Sequence, residues 1–261
     1  MALYDIAAKA AGLPLFLFWG GEKRTMETDL TIGICNPDEA GDKAQVVREM
    51  GFRKIKVKLG LDFKADYKRL ANIRKAVGNE PIIRIDANQG WDRIAAVKNL
   101  TAFDEFKIEL CEQPCRAHDV KGMRYVNLHT KIPIMADESL FSIFDALNLI
   151  ENDAAPYFNV KFTKSGGIHN TQQIIDVAKA GAIPCMIGCM SESKLGITAA
   201  AHFALANKTI QFFDLDSFFE HAENPITGGV QVENGFIEVP DSPGIGAEPD
   251  PAYIKRLEEI K

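Results

Sequence analysis

The sequence predicts a modified TIM barrel of the form (β/α)7β, followed by a short β-hairpin tail. Three observations carry this expectation. Eight β-rich runs alternate with helical patterns between residues 28 and 214, the order that produces a parallel sheet. Polar residues recur at the C-terminal ends of those runs, about one βα unit apart. The last run, unlike most of the others, has no clear helical pattern after it. The length of 261 residues suits such a barrel, which typically needs about 250.

The β-rich runs are expected at residues 28–34, 54–59, 82–86, 106–112, 134–137, 157–162, 184–187 and 211–214. Helical patterns fall at residues 43–50, 65–77, 93–103, 144–151, 168–180 and 194–207. Residues 1–11 read as an amphipathic helix stopped at Gly12 and Pro14, a candidate for the place of the missing eighth helix. After the barrel, Asn234-Gly235 lies between two alternating runs in GGVQVENGFIEVP, a strong hairpin signal. The expected division is a catalytic barrel over residues 1–217 and a tail over residues 218–261.

Composition narrows the function classes. A hydrophobic content of 46% supports a large core, and a formal charge of −6 with pI near 5.5 argues against nucleic acid or an anionic membrane as partner. No apolar run reaches the roughly 18 residues of a membrane span, and the first residues lack the pattern of a signal peptide. Cys35, Cys111, Cys115, Cys185 and Cys189 make an odd set without the spacing of a zinc pair. They read as reduced thiols of a cytoplasmic protein. These features leave a small-molecule substrate as the expected partner, with room for a homo-oligomer.

The strand ends carry the chemistry. Lys56 and Lys58 end the second run, Asp86 the third, Glu112 the fourth and Asp137 the fifth; Lys161 lies in the sixth, and Asp214 and Asp216 close the eighth. From Lys58 to Lys161 the steps are 28, 26, 25 and 24 residues. In a TIM barrel such residues face the active site. Any one of them alone reads as a helix cap or a solvated side chain; their repetition at matching ends does not. Asp86, Glu112 and Asp137 on adjacent strands can converge, and three such carboxylates need a cation to stay ionised. All-oxygen ligands favour a hard ion, for which Mg2+ is the expectation. Strands two and six oppose each other, so Lys58 and Lys161 would flank that ion. Strand eight opposes strand four, so Asp214 and Asp216 could hold the far end of a ligand.

KVKLG, RIDANQGW, CEQP, MADES and NVKFTKSGGI resemble the enolase superfamily in its muconate-lactonizing subgroup. MIGCMSESKLGITAAAHFA and DLD are similar to the dipeptide epimerases within it. The resemblance covers nearly the whole chain. It implies Asp86, Glu112 and Asp137 as Mg2+ ligands, and Lys58 and Lys161 as acid/base catalysts on opposite faces of the substrate. It implies that Lys56 contacts the substrate carboxylate and helps lower the pKa of Lys58. Thr31, Cys189 and Ser191 would touch the dipeptide, and Asp214 and Asp216 would bind its α-ammonium. The implied reaction is 1,1-proton transfer at the C-terminal residue of an L-Ala-X dipeptide, with X = Glu the leading choice, through an enediolate stabilised by Mg2+ and Lys56. Nearby Mg2+ and Lys56 are expected to bring the lysines toward neutrality.

The resembling family carries an N-terminal capping domain before the barrel. This sequence begins at the helix preceding the first barrel strand, so the cap is expected to be absent, with residues 218–261 resembling the part that packs on it. The competing readings are an N-acylamino acid racemase, an o-succinylbenzoate synthase or a cycloisomerase on the same scaffold. None of those substrates offers a free α-ammonium to Asp214 and Asp216. A barrel that binds Mg2+ without activity is a further alternative. A pyridoxal-phosphate enzyme would not need three converging carboxylates.

Overall fold

Alternation along each strand decides which side chains enter the barrel and which meet the helices around it. The computed structural model describes residues 1–258; residues 259–261 of the expected tail lie outside the described residues. Eight strands pair in sequence order: β1 (Leu30–Ile32), β2 (Lys54–Lys58), β3 (Ile82–Asp86), β4 (Ile108–Glu112), β5 (Ile134–Ala136), β6 (Tyr157–Val160), β7 (Cys185–Ile187) and β8 (Ile210–Phe213). All seven neighbouring pairs are parallel. The chain has the TIM-type α/β architecture its sequence predicts.

The helices are α1 (Ala2–Ala10), α2 (Leu15–Phe18), α3 (Ala40–Glu49), α4 (Phe63–Val77), α5 (Arg93–Phe103), α6 (Val120–His129), α7 (Ile143–Glu151), α8 (Phe162–Ser165), α9 (Ile168–Ala180), α10 (Lys194–Ala206) and α11 (Pro251–Glu258). Side-chain caps fix several starts. Asp62 accepts from Ala65 N–H before α4, Asp92 from Ile94 and Ala95 N–H before α5, and Ser142 and Asp145 form a reciprocal box at α7. Helix α6 fills the connection between β4 and β5, where the apolar pattern in the sequence is weak; Asp119 caps it. The sixth strand stops before Lys161, and Phe162–Ser165 turns into the short helix α8. Among the described residues no helix is long and apolar enough to cross a membrane.

Two apolar layers result. Ile55, Val57, Ile83, Ile85, Cys111, Phe158 and Val160 face outward into the main core beneath the helices. Leu110, Met135 and Met186 form a separate cluster with Tyr157 and Phe212, a plug inside the barrel. Two residues further along the same strands come Glu112, Asp137, Gly188, Asn159 and Asp214. Period-two geometry therefore sets a polar layer directly on an apolar floor.

Closure between β8 and β1 differs from the other junctions. Asp29 N–H reaches Phe213 O at 3.4 Å, Leu215 N–H donates to Thr28 Oγ1 at 2.9 Å, and Thr31 N–H donates to Asp216 Oδ2 at 2.7 Å. Arg84 braces this seam from inside. Its guanidinium binds Asp29 Oδ2 at 2.9 Å, Phe213 O at 3.2 Å and Glu109 Oε2 at 2.6 Å. Glu109 thus belongs to β4 and to this ion pair, not to the connection before the strand where its neighbours Asp104 and Glu105 lie.

The tail contains the expected hairpin. Here β10 (Gln231–Glu233) and β11 (Phe236–Glu238) pair across Asn234 and Gly235, whose φ values of 51° and 81° suit a two-residue turn. A second small sheet pairs β9 (Ile226–Gly228) with β12 (Ala247–Pro249). The tail is bonded to the barrel through Gly235 O with Thr28 N–H and Met26 O with Ile237 N–H, both at 2.9 Å. Tyr4 and Trp19, then Trp19 and Phe203, make edge contacts that seat the N-terminal segment on α10.

His202 on α10 joins both ends of the chain to the barrel. Its Nδ1 accepts from Phe16 N–H at 3.1 Å and its Nε2 faces Ile245 O at 3.0 Å, which requires the neutral ring protonated on Nε2. Burial pushes this imidazole down to about 4, with the Ile245 carbonyl opposing. The unfolded chain takes up this proton near pH 6.5, while the folded chain refuses it until about 4. The stability it contributes is full above pH 6.5 and is lost as pH falls toward 4. Urea unfolding is expected to show about 2 kcal/mol of His202-linked loss between pH 7.5 and pH 5. The loss should be missing from His202→Gln; equal slopes in the two proteins would refute the assignment.

Candidate active site at the mouth of the barrel

The C-terminal ends of the strands surround a cavity of about 560 Å³. Thr31, Lys56, Lys58, Asp137, Lys161, Cys189, Ser191, Asp214 and Asp216 line it, and the buried Asp86 and Glu112 lie against its lysines. Strand register assembles one wall, because Lys58 pairs with Asp86 and Asp86 with Glu112 across β2, β3 and β4. The eleven residues expected from the sequence thus form one connected set.

Lysines interleave the carboxylates. Lys56 Nζ lies 2.7 Å from Glu112 Oε2, 2.8 Å from Asp214 Oδ2 and 3.3 Å from Asp86 Oδ2. Lys58 Nζ donates to Asp86 Oδ2 at 2.7 Å. Lys161 Nζ donates to Asp137 Oδ2 at 2.7 Å and lies 3.7 Å from Glu112 Oε1. Asp216 Oδ2 takes Thr31 N–H, and its Oδ1 is 3.8 Å from Cys189 Sγ.

Burial and neighbouring charge set the ionisation of these groups. Burial, reinforced by Asp86, raises Glu112 to about 7 against the pull of Lys56 and Lys161. Burial and then Asp214 raise Asp216 to about 6. Burial opposes the charge of Asp137 as well, but Lys164 and Lys161 outweigh it and hold that carboxyl well below the usual range. For Lys161, burial favours the neutral amine, yet Glu112 and Asp137 outweigh burial and hold it above its ordinary value. Lys161 thus borrows charge from two of the carboxylates expected to hold an ion, Asp137 at 2.7 Å and Glu112 at 3.7 Å.

These residues could hold a hard divalent cation. Glu112 Oε2 is buried and makes no hydrogen bond, with the Lys56 ammonium 2.7 Å away. Asp86 and Glu112 end two adjacent strands and Asp137 follows the next, so three carboxylates stand side by side at this end of the barrel with lysines between them, and oxygen donors alone suit Mg2+. The cluster of Cys189 Sγ with Asp214 and Asp216 oxygens, all within 4.8 Å of one another, mixes a thiol with oxygens, and Asp214 is already neutralised by Lys56.

The family described as Enolase C-terminal domain-like matches residues 39–253. The chain belongs to it. It is 41% identical to the D-Ala-D/L-Ala epimerase of Cytophaga hutchinsonii over all of this chain and 71% of that protein. It is 40% identical to the L-Ala-D/L-Glu epimerase of Clostridium acetobutylicum over 95% of this chain and 70% of that one. The crystal structure of the Cytophaga hutchinsonii dipeptide epimerase, complexed with Mg and D-Ala-L-Val, superposes with a TM-score of 0.96 at 40% identity. That match covers 98% of this chain and 70% of the other.

Within this enolase-type site, four supporting residues had no firm place in the sequence reading. Gln113, buried and at φ 34°, accepts from Asp137 N–H at 2.8 Å and Ser139 N–H at 3.2 Å. Asn159 donates to Glu112 Oε1 at 2.8 Å. Lys164 donates to Asp137 Oδ1 at 2.5 Å and to the Asp137 and Asn159 carbonyls. Glu138 lines the cavity beside Asp137, because strand alternation ends with β5 at Ala136. Gly188 supplies room: a Cβ there would sit 2.5 Å from Asn159 Oδ1 and 2.9 Å from Lys161 Cε.

Calorimetric titration with Mg2+ is expected to show binding that tightens as pH rises to about 7 and then levels off. The sign follows from Glu112, whose folded carboxyl keeps its proton up to about 7, whereas an ion needs the carboxylate. Proton release should accompany binding below that pH. Asp137→Asn is expected to weaken binding by more than roughly tenfold; unchanged affinity would remove Asp137 from the ligand set.

Proposed function

We propose that the chain is a Mg2+-dependent dipeptide epimerase that inverts the α-carbon of the C-terminal residue of an L-Ala-X dipeptide, with Glu the first X to assay. The observation that carries this reading is the pair Lys58 and Lys161 on opposite walls, β2 and the end of β6, with the carboxylates of Asp86, Glu112 and Asp137 between them. Two amines facing one carbon from two sides are what removal and return of a proton with inversion require.

On this reading Asp86, Glu112 and Asp137 would hold Mg2+, which would supply positive charge against the negative charge that develops on the substrate carboxylate as the α-proton leaves. Lys56, held above its ordinary pKa by Asp214, Glu112 and Asp86 against the effect of burial, stays cationic and adds to that stabilisation. Lys58 and Lys161 exchange the roles of base and acid according to which epimer is bound. With Asp137 and Glu112 engaged by an ion, their hold on Lys161 weakens, which is the condition for a neutral base. Asp214 and Asp216, across the mouth, take the ammonium of the free N-terminus. Thr31, Cys189 and Ser191 line the path between. The five free cysteines suit a cytoplasmic setting.

Lys58→Ala and Lys161→Ala are each expected to abolish epimerisation while leaving α-proton exchange with D2O in one epimer. A full-rate epimerase lacking either lysine would refute the two-base assignment. Comparison of kcat/KM for free and N-acetylated dipeptide tests the ammonium site. Acetylation should remove most activity, and Asp216→Asn should narrow the gap. Equal values would move the reading to an N-acylamino acid racemase.

A further inference from the structure

The two lysines are not equivalently held. Lys161 is sunk among carboxylates with its side chain 5% exposed, whereas the side chain of Lys58 is 29% exposed. A long, half-solvated ammonium has more rotamers to lose than a buried one. A misplacement of about 1 Å in a reacting group can cost about 100-fold in rate. Lys58 therefore needs a second fixed acceptor besides Asp86, and the structure supplies one in Asn88.

Asn88 Oδ1 accepts from Lys58 Nζ at 2.9 Å. Its Nδ2 donates to Glu138 Oε1 at 3.2 Å. This polarity admits only one setting of the amide, since the reverse would put NH2 against an ammonium and oxygen against a carboxylate. The backbone is fixed as well: Asn88 N–H donates to Asp86 Oδ1 at 2.9 Å, and its φ is 41°, a left-handed conformation that Asn tolerates better than most residues. Gln89 N–H and side chain then tie the next residue to Gln113 O and Ala117 N–H, at 2.8 and 2.9 Å. Glu138, whose Oε2 is buried with no hydrogen bond, has the Asn88 amide as its hydrogen-bond partner.

We propose that Asn88, oriented by Glu138, is the positioning residue for Lys58, and that it serves the Lys58 face of the site alone. The inference rests on the two-base reading above. Lys161 has its own partners, Asp137 and Glu112, and makes no hydrogen bond to this pair.

The test follows each face separately. Exchange of the α-proton with D2O is measured from each epimer of L-Ala-Glu, and the epimer served by Lys58 is identified as the one whose exchange Lys58→Ala removes. Asn88→Gly deletes the amide at a backbone angle that glycine accepts without strain. It is expected to slow exchange from the Lys58 face by at least about tenfold and to leave the Lys161 face within about twofold. N88D sets two carboxylates against each other and should also be slow. The double variant N88D/E138Q restores an acceptor toward Lys58 and a donor behind it, and should recover most of the loss. Equal slowing at both faces, or no recovery in the double variant, would overturn the proposal. A readout without substrate separates it from the epimerase reading: competitive acetylation, quantified by mass spectrometry. In Asn88→Gly the labelling of Lys58 should rise at least about threefold relative to Lys161. If the parent protein exchanges neither epimer, the epimerase reading fails, and the labelling ratio still decides the positioning; an unchanged ratio overturns it.

Discussion

At the centre of the barrel mouth one ammonium, Lys56 Nζ, lies within 3.3 Å of carboxylates from three strands: Asp86 on β3, Glu112 on β4, and Asp214 just beyond β8. These groups are almost wholly buried. A buried charge without a partner is very costly, and a buried pair persists only when its geometry and hydrogen bonds are nearly complete. Lys56 therefore does more than stabilise its neighbours. It ties the wall that bears the carboxylate triad to the opposite wall that bears Asp214. The distances that define the site are consequences of that tie.

The layer beneath explains why this charge can be kept. Leu110, Met135, Met186, Tyr157 and Phe212 fill the barrel below it, so the carboxylates and lysines rest on a surface that excludes water from one side. Electrostatic interactions there are stronger than in water, and they can be set in advance of substrate binding. The depth of each lysine then follows from its place on its strand. Lys56 points into the polar layer and is buried. Lys58, two residues further along, reaches the rim. Lys161 follows the last residue of β6, and its stem occupies the space left by Gly188.

Much of this was legible in the sequence because it depends on position along the chain. Lys58, Asp86, Glu112, Asp137 and Lys161 fall one βα unit apart, and a closed parallel barrel converts that spacing into a ring. Asn234-Gly235 was legible for the same kind of reason, since a two-residue turn is a local matter. The contribution of Gln113 was not. It holds Asp137 through a contact across strands, and nothing in its neighbours along the chain marks it. Lys164 and Glu138 lie past the ends of β6 and β5, where strand alternation no longer says which way a side chain points. The upward shift of Lys161 also lay beyond the sequence, since it depends on sub-3 Å contact with Asp137.

The seam between β8 and β1 gives the two ends of the site different mechanical character. Lys58, Asp86 and Glu112 sit on strands locked by parallel ladders at their own level. Asp214 and Asp216 follow a strand whose junction with β1, among the described residues, has a single backbone hydrogen bond of 3.4 Å and relies otherwise on side chains. The end bearing Lys58, Asp86 and Glu112 is thus held by ladders on both sides, while the end bearing Asp214 and Asp216 is held by backbone toward β7 and mainly by side chains toward β1. The contacts that aim Asp216 are separate from the register that holds Lys58 beside Asp86. A barrel built this way can change which ligand it grips while its chemistry stays fixed. Relatives of nearly equal similarity to this chain carry different names, among them D-Ala-D/L-Ala epimerase, L-Ala-D/L-Glu epimerase and hydrophobic dipeptide epimerase.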